Sequence, residues 1–142
     1  LTVPMKDPKR GPVSTIHDDN YKVVSTRLGD RLRATGFVEL ADFNRSIPEE
    51  RLATIRKSVE SRFPGCANLA TAETWTGFRP MTPDGPAIIG RGPRENLFLN
   101  TGHGTFGWTF SAGSADLIAQ VIDGEEPSVC LDAFRPGRFS ES

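Results

Sequence analysis

The chain has 142 residues, 37% of them apolar and 25% charged, and its 17 basic and 18 acidic side chains leave a formal net charge of -1. That is enough material for one ordinary domain or for pieces of two, and the balance of charge excludes a general attraction to nucleic acid or to an anionic membrane. No apolar run approaches the roughly 20 residues that cross a bilayer, and Lys6, Lys9 and Arg10 are not followed by the apolar stretch of a signal peptide.

The chain opens on Leu1-Thr2-Val3-Pro4 without an initiator methionine, which reads as the end of a strand in a processed or truncated chain. Gly and Pro punctuate residues 7 to 12, and residues 13 to 20 suggest a short strand and an Asp/Asn turn. Tyr21 to Leu28 is rich in strand formers, and Gly29-Asp30 supplies the next turn. From Arg31, the residues Leu32, Ala34, Gly36, Val38 and Leu40 fall on one side, a period of two that predicts a half-buried strand. Together these segments predict an antiparallel meander.

A helix follows. Ser46 stands three residues before Glu49 as a capping pair, and Leu52, Ile55, Val59 and Phe63 recur at helical spacing until Pro64-Gly65 stops them. Thr71 to Thr76 reads as a strand, and the next ten residues carry too much Gly and Pro for a helix. Ala87 to Gly90 and Leu97 to Thr101 read as short apolar strands, the second suited to burial on both faces. The last helix is apolar over much of its surface; Thr109 or Ser111 would cap its start and Gly124 its end. The tail is irregular apart from a brief strand at Val129 to Leu131. Cys66 and Cys130 are expected as free thiols in a reducing compartment, and two histidines, His17 and His103, give no metal-site spacing.

Two passages could carry chemistry. In the first, Gly102-His103-Gly104-Thr105-Phe106-Gly107 leads a strand into a helix, which exposes backbone N–H groups where an oxygen with negative charge is favoured. The letters match G-x-G-x-x-G, but Trp108 follows directly and no later βαβ unit reads ribose, so a structural turn remains open beside a ligand site. His103 reads first as an ordinary hydrogen-bonding residue, with a proton carrier as the alternative. In the second passage, Gly77-Phe78-Arg79-Pro80, a guanidinium on stiff backbone could hold a carboxylate through paired hydrogen bonds. The plainer alternative for Arg79 is a salt bridge to Asp84, Glu73 or an unseen partner.

The blocks from Trp75 to Gly85 (Trp-Thr-Gly-Phe-Arg-Pro-Met-Thr-Pro-Asp-Gly) and from Asn96 to Thr109 resemble the FAD-dependent D-amino acid oxidase superfamily, within it the small subunits of bacterial D-amino acid dehydrogenases. Phe78 and Phe106 stand where that family commonly has leucine. The resemblance implies an α+β fragment: residues 1–78 as the C-terminal part of a substrate-binding domain of antiparallel strands with a helix, and 79–142 as the C-terminal return segment of a Rossmann-like FAD domain. It implies that Arg79 binds the substrate carboxylate and that Gly102, His103, Gly104, Gly107, Trp108 and Thr109 lie at the flavin. The implied reaction is hydride transfer from a D-amino acid Cα to flavin N5, the imino acid hydrolysing to a 2-oxo acid and ammonia, with electrons passing to a membrane acceptor. It further implies a cytoplasmic enzyme, peripheral at the inner membrane, whose N-terminal portion is missing here. Alone, the chain would bind FAD weakly or not at all and would be inactive. The alternatives are a fragment of a glycine- or sarcosine-type amine oxidase, or a noncatalytic module that binds an anion or a protein.

Overall fold

The first residues form a strand, β1 (Thr2–Pro4), and three more follow: β2 (Ile16–Asp18), β3 (Val23–Leu28) and β4 (Arg31–Gly36). In this computed structural model, which describes residues 1–139, the four strands make one antiparallel sheet in the order β1-β4-β3-β2. The β3–β4 hairpin closes in two residues, with Leu28 opposite Arg31 and Gly29 at φ 62, a conformation that glycine adopts without a Cβ penalty. Leu1, Val3, Val23, Leu32 and Ala34 bury one face of the sheet against Ile55 and Val59 of the helix α1 (Glu49–Arg62) and against Cys66. Each large apolar side chain so buried contributes roughly 1.5–3 kcal/mol. These elements belong to the first of two compact units, Leu1–Gly77; the second starts at Phe78.

A polar tie joins β2 to α1. The Ser58 hydroxyl donates to Asp18 Oδ2 at 2.8 Å, and Arg62 donates to both carboxylate oxygens, at 3.2 and 3.3 Å. The Asp18 side chain is only 3% exposed, and these donors, Arg62 first, hold its carboxyl at about 2.

The meander and the helix form as the residue pattern predicts, but three local expectations fail. β4 stops at Gly36 instead of running to Leu40, because β3 has no residue to pair beyond Val23 and Phe37 turns the chain away at φ 67. Val38 and Leu40 are exposed. Ser46 does not cap α1; Pro48 is the N-cap and has no side chain to bond, while the Ser46 N–H donates to Asn44 Oδ1 at 2.8 Å. Thr71 to Thr76 is not a strand, since Glu73 alone bridges to Thr2 and Leu69–Thr71 forms a 3-10 turn.

In the second unit, β5 (Ile88–Arg91) and β6 (Phe98–Thr101) form an antiparallel hairpin, and α2 (Gly107–Asp123) follows. Asn100 Nδ2 donates to the Ser114 carbonyl at 3.3 Å and Arg91 Nη2 to the Val121 carbonyl at 3.2 Å, which ties the hairpin to α2. Gly124, at φ 77, ends the helix in the left-handed conformation that its position in the sequence suggests. Here too the residue pattern misleads in places. β6 is not buried on both faces, because among the described residues it has a strand on one side only and its four residues are half-buried or exposed. α2 starts at Gly107 with no side-chain cap, so neither Thr109 nor Ser111 caps it; the Ser111 hydroxyl donates to the Trp108 carbonyl instead. Val129 to Leu131 is not a strand, and the tail turns through short 3-10 segments, Asp132–Phe134 and Pro136–Phe139. Antiparallel sheets with helices make the whole an α+β arrangement, as predicted.

Candidate functional site

The glycine-rich bend and the segment after Arg79 meet within the second unit. Gly102 (φ 74) and Gly104 (φ 56) turn the chain out of β6, and Gly104–Phe106 winds one 3-10 turn into α2. The Gly104 N–H donates to the Pro80 carbonyl at 2.9 Å, and Met81 forms a β-bridge with His103. At Gly102 the approach is so close that a Cβ would lie 2.7 Å from the Thr82 methyl. Gly102 therefore serves packing of protein on protein. At Gly107 a Cβ would stand 3.2 Å from His103 Cβ, also a tight fit.

His103 is half-buried, and its Nε2 is buried without a hydrogen-bond partner. Buried polar nitrogens are nearly always paired, so this one marks a place for an acceptor or donor that the chain itself does not supply. His103 and Thr109 line a cavity of about 390 Å³, with Gly113, Ser114 and Leu117 of α2 and Phe134 on its other walls. Trp108 points outward, 94% exposed, and Thr109 is exposed as well. The first N–H groups of α2 have no intrahelical partner by geometry, and no side chain caps them. An uncapped helix start favours negative charge. This donor set fits one edge of an electron-accepting ring; it does not enclose a nucleotide.

Arg79 is exposed and has no hydrogen bond or ion pair among the described residues. Both candidate salt-bridge partners are engaged elsewhere. Glu73 pairs with Arg31 at 3.0 Å, and Asp84 receives two hydrogen bonds from Arg138, at 2.7 and 3.0 Å. Arg138 holds the Asp84 carboxyl below its usual range, chiefly by those bonds and against the effect of burial. Arg138 lies 54 residues from Asp84, and no local pattern announces the pair. The bridge of Met81 to His103 brings the Arg79 segment and the bend together in the backbone. Among the described residues no cluster of three or more His, Cys, Asp or Glu could hold a metal, and no helix is long and apolar enough to cross a membrane.

Known proteins resemble this arrangement over nearly its whole length. The D-amino acid dehydrogenase of Vibrio vulnificus (strain YJ016) is 53% identical over 137 residues, which are 95% of this chain and 33% of that protein. The D-amino acid dehydrogenase of Azorhizobium caulinodans is 48% identical over 139 residues, 98% of this chain and 33% of its own length. The chain thus spans about a third of the curated relatives it matches. Among solved structures, L-proline dehydrogenase from P. horikoshii superposes with a TM-score of 0.73 at 19% identity, covering 98% of this chain and 38% of that one. Glycine oxidase from Geobacillus kaustophilus gives 0.68 at 24%, covering 96% and 37%. The model of the FAD dependent oxidoreductase family, DAO, matches residues 1–121, and the chain belongs to that family.

Proposed function

We propose that this chain is the C-terminal third of an FAD-dependent D-amino acid dehydrogenase and is inactive without the remainder. The observation that carries the reading is the 53% identity to a D-amino acid dehydrogenase, sustained over 95% of the chain. The matched blocks coincide with the bend and the unpaired arginine. Residues 1–78 are read as the tail of the substrate domain and 79–142 as the return of the FAD domain, a division supported by the break between compact units after Gly77.

FAD, when bound, supplies the acceptor for a hydride leaving the substrate Cα. The residues of this chain do what surrounds that step. Arg79 anchors the substrate carboxylate through paired, charge-assisted hydrogen bonds, its guanidinium being free of protein acceptors among the described residues. The uncapped N–H groups at Gly107, Trp108 and Thr109 favour negative charge at the edge they face, which assists reduction electrostatically. Gly102, Gly104 and His103 set that edge in place through Pro80, Met81 and Thr82. Positioning the C–H is the larger requirement, and no residue here needs to act as a general base. The same reading takes a D-amino acid as substrate and the rest of the enzyme as partner. It also takes a membrane carrier as electron acceptor and places the enzyme in the cytoplasm, peripheral at the inner membrane.

The test is to replace the corresponding third of the Vibrio vulnificus enzyme with this chain and to follow reduction of an artificial electron acceptor. The expected result is D-amino-acid-dependent turnover that Arg79→Ala weakens through substrate binding. A chimera that retains stoichiometric flavin yet oxidises no D-amino acid would remove the assignment. For the chain alone, titration with FAD should show no tight binding, and stoichiometric binding in the sub-micromolar range would contradict the partial site.

A further inference from the structure

The Arg79 segment is gripped from two sides. On one side stands the glycine bend, through the Gly104–Pro80 hydrogen bond, the Met81–His103 bridge and the contact of Thr82 with Gly102. On the other side stands Arg138. Its Nε donates to Asp84 Oδ2 at 2.7 Å, and its Nη2 donates to Asp84 Oδ1 at 3.0 Å and to the Pro86 carbonyl at 2.6 Å. Its Nη1 donates to the Arg135 carbonyl at 3.2 Å, so the planar fork uses four hydrogen bonds and commits three of them to one turn. The Thr82 hydroxyl also donates to the Pro86 carbonyl, at 2.8 Å, which closes the turn on itself. Arg138 is 9% exposed, and its guanidinium lies 4.3 Å from the centre of the Phe139 ring. An arginine so desolvated and so fully bonded is fixed, and it fixes what it holds.

We infer that Arg138 is a positioning residue for the carboxylate anchor: by holding Asp84 and Pro86 it keeps the Pro80–Pro86 turn seated on the glycine bend, and so keeps Arg79 in register with the helix start. This rests on the reading of Arg79 as that anchor. Arg138 makes its four hydrogen bonds to Asp84, Pro86 and Arg135 of this same unit. It acts through Asp84, and it lies beyond the residues that the family model matches. Releasing it frees the turn at its far end while the Gly104–Pro80 bond still holds the near end, so substrate should be bound less well before the fold suffers.

The experiment uses the assembled enzyme carrying this chain, with KM and kcat measured for several D-amino acids beside flavin content and melting temperature. Arg138→Ala is expected to raise KM about tenfold with kcat changed by less than about threefold, less than the roughly hundredfold that a misplacement of about 1 Å can cost. Asp84→Asn should raise KM in the same direction, and it serves as the test if Arg138→Ala does not fold. Arg138→Lys should fall between, because an ammonium keeps the charge and loses the fork. The exchange Asp84→Arg with Arg138→Asp should recover part of the loss. If Arg79→Ala raises KM while Arg138→Ala and Asp84→Asn lower only the melting temperature or flavin content, Arg138 is a structural tie and the inference fails. If Arg79→Ala leaves KM unchanged, the anchor reading fails first and takes this inference with it.

Discussion

The two units differ in how much apolar surface their sheets and helices bury, although both leave some exposed. In the first, a four-stranded sheet and α1 close over Leu1, Val3, Val23, Leu32, Ala34, Ile55 and Val59. In the second, Ile89 is the one large apolar residue that is buried among the described residues, while Phe106, Trp108, Phe110 and Ile122 are exposed. The difference is one of layers. A helix that is apolar nearly all round needs neighbours on more than one side, and a hairpin of two strands covers one side only. The first unit packs a sheet and a helix over its core, and the second leaves much of the apolar surface of α2 uncovered.

The sharpest way to break that contrast is to open the first core. Leu32→Ala removes a side chain with no exposed surface and should cost about 2–5 kcal/mol, whereas Ile122→Ala on the bare face of α2 should stay within about 0.5 kcal/mol. Urea unfolding followed by far-UV circular dichroism would register both helices, and Trp75 fluorescence in a Trp108→Phe background would report the first unit, since Trp75 bonds to Thr2 and lies 5.2 Å from the Arg33 guanidinium. Equal losses from the two substitutions would show that the two units bury their apolar side chains alike.

A second effect concerns acid. The folded carboxyl of Asp18 sits at about 2, below the usual value of about 3.9. Its contribution to stability is therefore complete above about pH 4 and is lost as pH falls toward 2, because the unfolded chain takes up the proton first. Asp18→Asn should be less stable at neutral pH and should lose less than the wild type between pH 4 and 2. Parallel acid limbs for the two proteins would show that the Asp18–Ser58–Arg62 tie does not form in solution. A smaller effect than that of Leu32→Ala is expected at Gly124, where φ 77 makes Gly124→Ala cost about 1 kcal/mol, read as a lower thermal midpoint of helical circular dichroism.

Much of this arrangement can be read from the residues themselves, and the strands that fail to form share one cause. Leu52, Ile55 and Val59 predict α1 because a helix makes its own hydrogen bonds, and Gly29 and Gly124 mark turns that are decided locally. Val38 and Leu40 continue the strand period, yet a strand lasts only as long as its partner, and β3 begins at Val23. Thr71 to Thr76 has strand propensity and meets only Thr2. The bend and Arg79 stand out because glycine and a proline-flanked arginine are unusual in their setting. The tie of Asp84 to Arg138 stays hidden, since its two halves are 54 residues apart and each alone resembles an ordinary surface charge.

The hairpin carries a practical consequence. β6 pairs with β5 and with no other strand among the described residues, which leaves one edge of Phe98–Thr101 unpaired in a unit with uncovered aromatic rings. Such an edge recruits whatever extended chain it meets, including another copy of itself. Purified on its own and concentrated, this polypeptide is expected to cloud, and light scattering that stays flat with concentration would show the edge to be covered.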